Sequence, residues 1–128
     1  MKNKKSIYTV VAISLFMGLL HFLIGPDYQG VCKHFIRGYL IDILLPMNLY
    51  LLLQISLRKS IIVKNARIIG AILTFAFGTT VEILQFYKIE FLGTTYDPCD
   101  ILMYGIGVVL GIAIDLTIIN KFEKTEKN

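Results

Sequence analysis

The sequence has few charged residues and no polar stretch long enough to form a soluble domain of its own. Asp, Glu, Lys and Arg together make up 17% of the 128 residues, whereas apolar residues make up 55%. Low-complexity tracts, internal repeats and extended linkers are all missing from the sequence. Because the apolar residues are collected into long blocks, the composition is typical of a membrane protein.

Common catalytic and metal-binding motifs are also missing. There is no H-E-x-x-H and no G-x-S-x-G, and the G-x-G at residues 105–107 lacks the following aspartate of intramembrane aspartyl proteases. No strand precedes this glycine-rich run, which argues against a nucleotide-binding loop. His21 and His34 are isolated, and no ligand spacing predicts a metal site. We therefore favour a non-enzymatic protein and expect neither a metal nor a cofactor.

Four apolar blocks are each long enough to cross a hydrocarbon core of about 30 Å as a helix. They run roughly over residues 7–24, 39–56, 68–87 and 101–119. Short connections favour antiparallel neighbours, so we predict an all-α polytopic membrane protein. Its four transmembrane helices form an up-down bundle, a single domain over residues 1–128. The first block is longer than a secretory signal core and no small-x-small site follows it, so we expect it to be retained.

Lysine and arginine are distributed unevenly among the segments that connect these blocks. Ten of the 13 lie before the first block, between the second and third, or after the fourth. Only Lys33, Arg37 and Lys88 fall on the other side, so the positive-inside rule predicts that both termini are cytoplasmic. The excess of basic residues is then explained by the orientation of the chain in the membrane. We therefore expect no nucleic-acid partner. Cys32 and Cys99 would both face outward, where a disulfide between them can form but is not required.

Small and polar residues recur on one face of the third block and on one face of the fourth. The first set is Arg67, Ala71, Thr74, Gly78, Glu82 and Gln85, and the second is Asp97, Asp100, Tyr104, Gly107, Gly111 and Asp115. Spacings of three and four residues place each set on one side of a helix. Ionisable residues in a membrane normally face a bundle interior or a wet cavity, so we predict that both faces point inward. The G-x-x-x-G pair in the second set lets another backbone approach closely.

Several of these residues lie at a similar depth, near the predicted outer ends of their helices. Glu82 is about 8 Å from the outer end of its block. Asp42 is similarly placed, and Pro46 leaves its carbonyl without a helical partner. We predict that one pocket open to the outside is lined by Arg37, Asp42, Glu82, Gln85, Asp97, Asp100 and Tyr104. Its acidic excess favours a cationic ligand.

Two simpler interpretations of the same residues stay open. Buried acids, Gln85 and Arg37 can bond one another and fix helix register without binding any ligand. Asp97 can also cap the start of the fourth helix, with Pro98 in the first turn, where proline is well tolerated. For Asp97 and Pro98 we favour capping over contact with a ligand.

Short motifs in the second, third and fourth blocks suggest a family. They are R-x-Y-x-x-D (Arg37, Tyr39, Asp42), E-x-x-Q (Glu82, Gln85) and G-x-x-[FY]-D-x-x-D (Gly93, Tyr96, Asp97, Asp100), followed by Tyr104. The last two motifs resemble those of VanZ-like membrane proteins. The whole set is closer still to a family of small bacterial membrane proteins known only as a domain of unknown function. Thr94 and Tyr104 depart from the VanZ-like pattern, which usually has arginine and asparagine there.

This resemblance covers roughly residues 35–115. It implies a protein of the bacterial cytoplasmic membrane that is concerned with the cell envelope. VanZ-like proteins are named for a member linked to low-level glycopeptide resistance and have no agreed biochemical mechanism, so the resemblance implies a location more than an activity.

Three functions are compatible with these features. The first is a non-enzymatic envelope protein whose outer pocket binds a lipid-linked headgroup, a basic peptide or a cation. The second is a small transporter in which Asp42, Glu82 and Asp115 relay protons or cations. The third is a structural accessory subunit. The lipid bilayer is a partner in every case, and a homo-oligomer or a larger membrane complex is compatible with each.

Overall fold

The computed structural model describes residues 4–24, 28–89 and 96–125, and the regular elements within these ranges are all helical. The four long helices are α1 (Lys4–Ile24), α2 (Lys33–Ser60), α3 (Val63–Phe86) and α4 (Pro98–Thr125). Each is long and apolar enough to cross a membrane. Within the described residues, the predicted all-α class and the prediction of four helices able to span a membrane are therefore confirmed.

The helices extend beyond the apolar blocks into charged flanking residues. α2 begins at Lys33 and α4 continues to Thr125, while Tyr87 lies one residue beyond the end of α3. Apolar content marks the part of a helix that suits hydrocarbon, whereas backbone hydrogen bonding continues into the polar flanks. Only Ile61 and Ile62 separate α2 from α3, and the N–H of Ile61 donates to the carbonyl of Leu57 at 2.9 Å.

Two stretches within these helices are wound as π-helix. One is Ile36–Leu40, near the start of α2, and the other is Asp115–Ile119, in the second half of α4. A π-turn contains more residues than an α-turn, so it rotates the residues before it relative to those after it. Regular α-helical spacing therefore does not predict which face a residue occupies across such a stretch.

α2 is the central helix of the bundle. It packs along α4 and α3, which also pack on each other, so these three helices are mutual neighbours. α1 packs on α2 and makes a smaller contact with the end of α4. Only 6% of the most apolar stretch of α1 is buried, against 28% or more for the other three helices. The bundle is thus a three-helix core with α1 attached at one side.

Hydrogen bonds at one end of the core show how the helices run. Tyr39, early in α2, contacts Asp97 at the start of α4, and Glu82, late in α3, contacts Tyr104 early in α4. α3 is therefore antiparallel to both α2 and α4. We call this the acidic end of the bundle. The opposite end, where α2 meets α3, is called the basic end because Arg58 and its neighbouring lysines lie there.

Close packing of α2 on α4 depends on Gly107 and Gly111. A side chain at Gly107 would collide with the carbonyl oxygen of Ile43 and the ring of Pro46, and a Cβ at Gly111 would lie 2.8 Å from Cδ1 of Tyr50. Real Cβ atoms essentially never approach other atoms so closely. The predicted role of the G-x-x-x-G pair in helix packing is confirmed.

Polar side chains lie inside the bundle and large apolar side chains cover its outside. Thr74 and Asp115 are fully buried, whereas Phe22 is 83% exposed and Leu102 is 63% exposed. This arrangement reverses that of a soluble protein and suits a surface that faces lipid. α1 follows the same rule, because the Ser14 hydroxyl donates to Oδ1 of Asn48 on α2 at 2.6 Å.

Candidate functional site

Four carboxyl groups from three helices meet at the acidic end. We call them the acidic cluster: Asp42 from α2, Glu82 from α3, and Asp97 and Asp100 from the start of α4. Asp100 interacts electrostatically with Asp42, Glu82 and Asp97, so the four groups form one coupled assembly. Regular spacing on α3 and α4 places Glu82 and Asp100 on the inward faces of these two helices, as predicted.

Glu82 is the most enclosed member of the cluster, at 1% exposure. Its Oε1 accepts a hydrogen bond from the Tyr104 hydroxyl at 3.1 Å, and its Oε2 accepts from the backbone N–H of Asp97 at 3.4 Å. The Tyr104 ring fits because the facing residue on α3 is Gly78, where a Cβ would lie 2.7 Å from Cδ2 of Tyr104. The predicted inward faces of α3 and α4 therefore meet directly at this pair.

Asp97 caps α4 and also joins it to α2. Its Oδ1 accepts from the N–H of Cys99 at 2.9 Å, and Pro98 occupies the first turn of the helix. Its Oδ2 accepts from the Tyr39 hydroxyl at 3.0 Å. The Cys99 N–H and the Tyr39 hydroxyl favour the charged form, so they lower the pKa of Asp97 from its ordinary value. Capping by Asp97 with Pro98 is confirmed, and the same carboxylate belongs to the acidic cluster.

The seven residues predicted to line one pocket do not all lie together. Asp42, Glu82, Asp97, Asp100 and Tyr104 are brought to the same place. Gln85 is buried one turn beyond Glu82 on the same face of α3.

Arg37 is the exception, because it lines a different cavity, between α1 and α2, together with His21. Arg37 is grouped with the acids by its depth alone, and depth does not determine the direction in which a side chain leaves its helix. The expectation that Arg37 lies beside the acids is therefore corrected. Tyr39, which we did not predict as a site residue, reaches Asp97 instead.

No basic side chain neutralises the acidic cluster within residues 4–24, 28–89 and 96–125. The ion pairs that the structure shows in these ranges both involve Asp115, at the opposite end. The same ranges contain no group of three or more His, Cys, Asp or Glu side chains arranged to hold a metal ion. The Cys32 and Cys99 thiols are free and exposed. In the described part of the chain, the carboxyl groups of the cluster therefore have no basic partner.

A cavity of about 140 Å³ adjoins the cluster between α2 and α3. Asp42 and Tyr104 line it on the side of the cluster, and Thr74 lines it farther along α3. Leu45 and Phe77 also line the cavity and are 45% and 40% exposed, so it reaches the apolar outer surface. The arrangement places a carboxyl group beside a small apolar space.

A second polar assembly lies at the basic end, and we call it the Asp115 network. Arg58 Nη2 donates to Oδ1 of Asp115, while Arg67 Nε at 2.7 Å and the Tyr50 hydroxyl at 3.2 Å donate to Oδ2. Gln54 accepts from Arg58 Nε at 3.1 Å and donates to a backbone carbonyl of α3 at 2.9 Å. The network joins α2, α3 and α4, and its carboxylate has no exposure.

Our sequence interpretation does not identify the Asp115 network. It places Arg67 and Asp115 on inward faces but assigns no role to Tyr50, Gln54 and Arg58, the network residues on α2. The sequence nevertheless contains a pattern that indicates it. Proline or a side chain able to form hydrogen bonds recurs at every fourth position on one face of α2: Asp42, Pro46, Tyr50, Gln54 and Arg58. The acidic cluster and the Asp115 network stand at the two ends of this row.

Neither a protein-family model nor a curated protein nor a solved structure matches this chain. The resemblance to VanZ-like proteins therefore rests on motif residues alone. Three of them, Glu82, Asp97 and Asp100, lie together at the acidic end, and Tyr104, which departs from the VanZ-like pattern, contacts Glu82 there. Gly93 and Thr94 fall outside the described residues.

Proposed function

We propose that this chain is a small, non-enzymatic, VanZ-like protein of the bacterial cytoplasmic membrane. Its acidic cluster binds a cationic group of an envelope ligand from the outer side. The observation that carries the proposal is the meeting of four carboxyl groups from three helices without a basic partner in the described residues. Like charges gathered in this way repel one another unless a cation or a bound proton compensates them.

The Asp115 network supports this interpretation by contrast. There the same chain buries a single carboxylate and gives it two arginines and a tyrosine hydroxyl. An acid that serves only to hold helices together is thus fully matched in this protein. The acidic cluster has hydroxyl and N–H donors but no cation among the described residues, so a cationic partner from outside can compensate its carboxyl groups.

The distribution of basic residues supports an outward-facing cluster. Lysines and arginines lie mostly at the basic end, which the positive-inside rule assigns to the cytoplasm. The acidic end then faces outward, at the level of the lipid headgroups. A primary ammonium group fits such a site well, because it offers three N–H donors to carboxylate oxygens. A basic peptide and an amine-bearing headgroup both carry this group.

Transport through the bundle receives less support than binding. A relay from Asp42 and Glu82 to Asp115 needs polar groups between the two assemblies. Gly107 and Gly111 lie in that region, where α4 packs closely on α2. Both oxygens of Asp115 already accept hydrogen bonds from arginine. We therefore expect proteoliposomes containing the purified protein to show no proton flux above that of empty vesicles.

Binding can be tested with a trilysine amide, titrated by calorimetry into the purified protein in lipid nanodiscs of neutral composition. The wild-type protein should bind it, and Asp100→Asn should bind about tenfold more weakly, the effect of losing one charge-assisted contact. Glu123→Gln is the matched control, because it removes an acid at the basic end and should leave the affinity unchanged. A triglutamate peptide should not bind.

Equal affinity of Asp100→Asn and wild type for trilysine would contradict the proposal, as would the absence of binding to a folded wild-type protein. Helical circular dichroism and gel-filtration elution should be the same for all variants. Proton flux in the vesicle assay, abolished by Asp42→Asn, would favour the transporter instead.

A further inference from the structure

A second cavity at the acidic end lies between α1 and α2, whereas the acidic cluster lies among α2, α3 and α4. Its volume is about 250 Å³. Two basic side chains, one from each helix, line it together with aliphatic residues: His21, Arg37, Leu20, Ile24, Leu40 and Leu44. The cavity therefore combines a cationic part with an apolar wall.

Arg37 is an unpaired cation in this cavity. It is exposed, and within the described residues it makes neither an ion pair nor a hydrogen bond, although four acids lie at the same end of the bundle. A guanidinium group binds phosphate with two parallel N–H bonds. His21 adds an imidazole N–H donor from the facing helix. The cationic part of the cavity thus suits a phosphate group.

The apolar wall suits a hydrocarbon chain. Leu20 and Ile24 from α1 face Leu40 and Leu44 from α2 across the cavity. α1 is the least buried of the four long helices, with only 6% of its most apolar stretch buried, so one wall of the cavity is a helix whose apolar surface is largely exposed. Arg37 lies near the end of a spanning helix, the level at which long basic side chains reach lipid headgroups.

We infer that this cavity binds one phospholipid, with its phosphate on Arg37 and His21 and part of an acyl chain between α1 and α2. The lipid fills the space that the loose packing of α1 leaves and links α1 to the core. This site does not depend on the acidic cluster or on the cationic ligand proposed for it, because it uses different residues on different helices.

Native mass spectrometry of the detergent-solubilised protein tests this inference. Phosphatidylglycerol is added to delipidated protein, and the retained fraction is measured as collision energy rises. We expect wild type to retain one molecule, and Arg37→Gln to retain it at least about tenfold less, since a charge-assisted bidentate contact is lost. Lys33→Gln removes a nearby basic residue that does not line the cavity and should behave like wild type.

Two further arms distinguish the source of the phosphate and the role of the apolar wall. Leu44→Trp should reduce retention of phosphatidylglycerol without removing any charge. Diacylglycerol, which has the chains but no phosphate, should not be retained. Inorganic phosphate alone should not raise the unfolding temperature.

Equal retention by Arg37→Gln and wild type would overturn the inference. Stabilisation by inorganic phosphate alone would show a simple anion site, and a mass corresponding to two protein chains with no lipid would show that a second copy fills the cavity. Either result would also overturn it. Unfolding curves without added lipid should be similar for all variants, so that a loss of retention reports on the site and not on the fold.

Discussion

Glu82 and Tyr104 form the hydrogen bond that joins α3 to α4 inside the acidic cluster. Glu82 is almost fully buried, and Tyr104 is 7% exposed with its ring against Gly78. Removing the hydroxyl would leave a buried acceptor oxygen of Glu82 with less compensation for its lost hydration. The energetic cost of this change should therefore be larger than that of the same change at the surface.

We expect Tyr104→Phe to lower the free energy of unfolding by about 1–3 kcal/mol, the cost of a buried polar group left unsatisfied. Chemical unfolding in detergent micelles, followed by circular dichroism, measures this difference. Tyr96→Phe is the control, because Tyr96 is 43% exposed and its hydroxyl removal should have little effect. Equal effects at the two positions would show that the Glu82 contact does not stabilise the bundle.

Asp97 gives a pH-dependent contribution to stability. Its pKa in the folded protein is lowered by the Cys99 N–H and the Tyr39 hydroxyl, so the folded state binds a proton less readily than the unfolded state. The contribution is therefore present above the unfolded pKa of about 3.9 and is lost as the pH falls through the lower folded value.

Asp97→Asn should flatten this dependence, because asparagine keeps an N-cap acceptor but does not titrate. The check is the melting temperature of wild type and variant in micelles at several pH values from 5 downward. We expect the two curves to converge as the pH falls. A constant difference across the range would show that the Asp97 charge does not contribute.

At the scale of whole elements, the contact between α2 and α4 depends on the absence of a side chain at residue 107. Gly107→Ala would place a methyl group against the Ile43 carbonyl and the Pro46 ring, and backbone cannot move aside easily. We expect a loss of about 1–3 kcal/mol in unfolding free energy, as is typical of overpacking. Gly105→Ala is the matched control, because its Cβ would lie 3.7 Å from Phe75, an ordinary contact.

Both variants replace a glycine by alanine within α4, so the change in helix propensity is the same. The difference between their unfolding free energies therefore reports the contact with α2. Denaturant titration of both proteins under identical conditions gives the value. A Gly105→Ala variant that is as unstable as Gly107→Ala would indicate that glycine is required for another reason.

The elements also show what regular spacing can and cannot predict. The inward faces of α3 and α4 follow from intervals of three and four residues, because both helices are regular α-helix over most of those intervals. Arg37 is misplaced because only its depth relates it to the acids, and depth does not determine the direction of a side chain. The Asp115 network is missed for another reason. Arg58 contacts Asp115 because α2 and α4 are neighbours. The spacing of residues within one helix does not predict which helices pack together.

At the scale of the whole molecule, the two native cysteines report on topology. Cys32 and Cys99 are free and exposed at the acidic end, whereas Ser60 is exposed at the basic end. If the acidic end faces outward, a membrane-impermeant maleimide should label both cysteines in intact cells without a reductant. A Ser60→Cys variant without the native cysteines should be labelled only after permeabilisation.

The opposite labelling pattern would reverse the orientation and place the acidic cluster in the cytoplasm. Labelling of the native cysteines only after reduction would show that they form a disulfide. In this structure both thiols are free. Quantifying the labelled fraction by mass spectrometry distinguishes these results.

The Asp115 network has a consequence for biosynthesis. An aspartate within a spanning helix opposes membrane insertion, and Asp115 lies within the apolar part of α4. Its partners Arg58 and Arg67 belong to the preceding hairpin of α2 and α3, so the ribosome makes both cations before the anion that they hold. In the chain, both counter-charges therefore precede the helix that carries the carboxylate they bind.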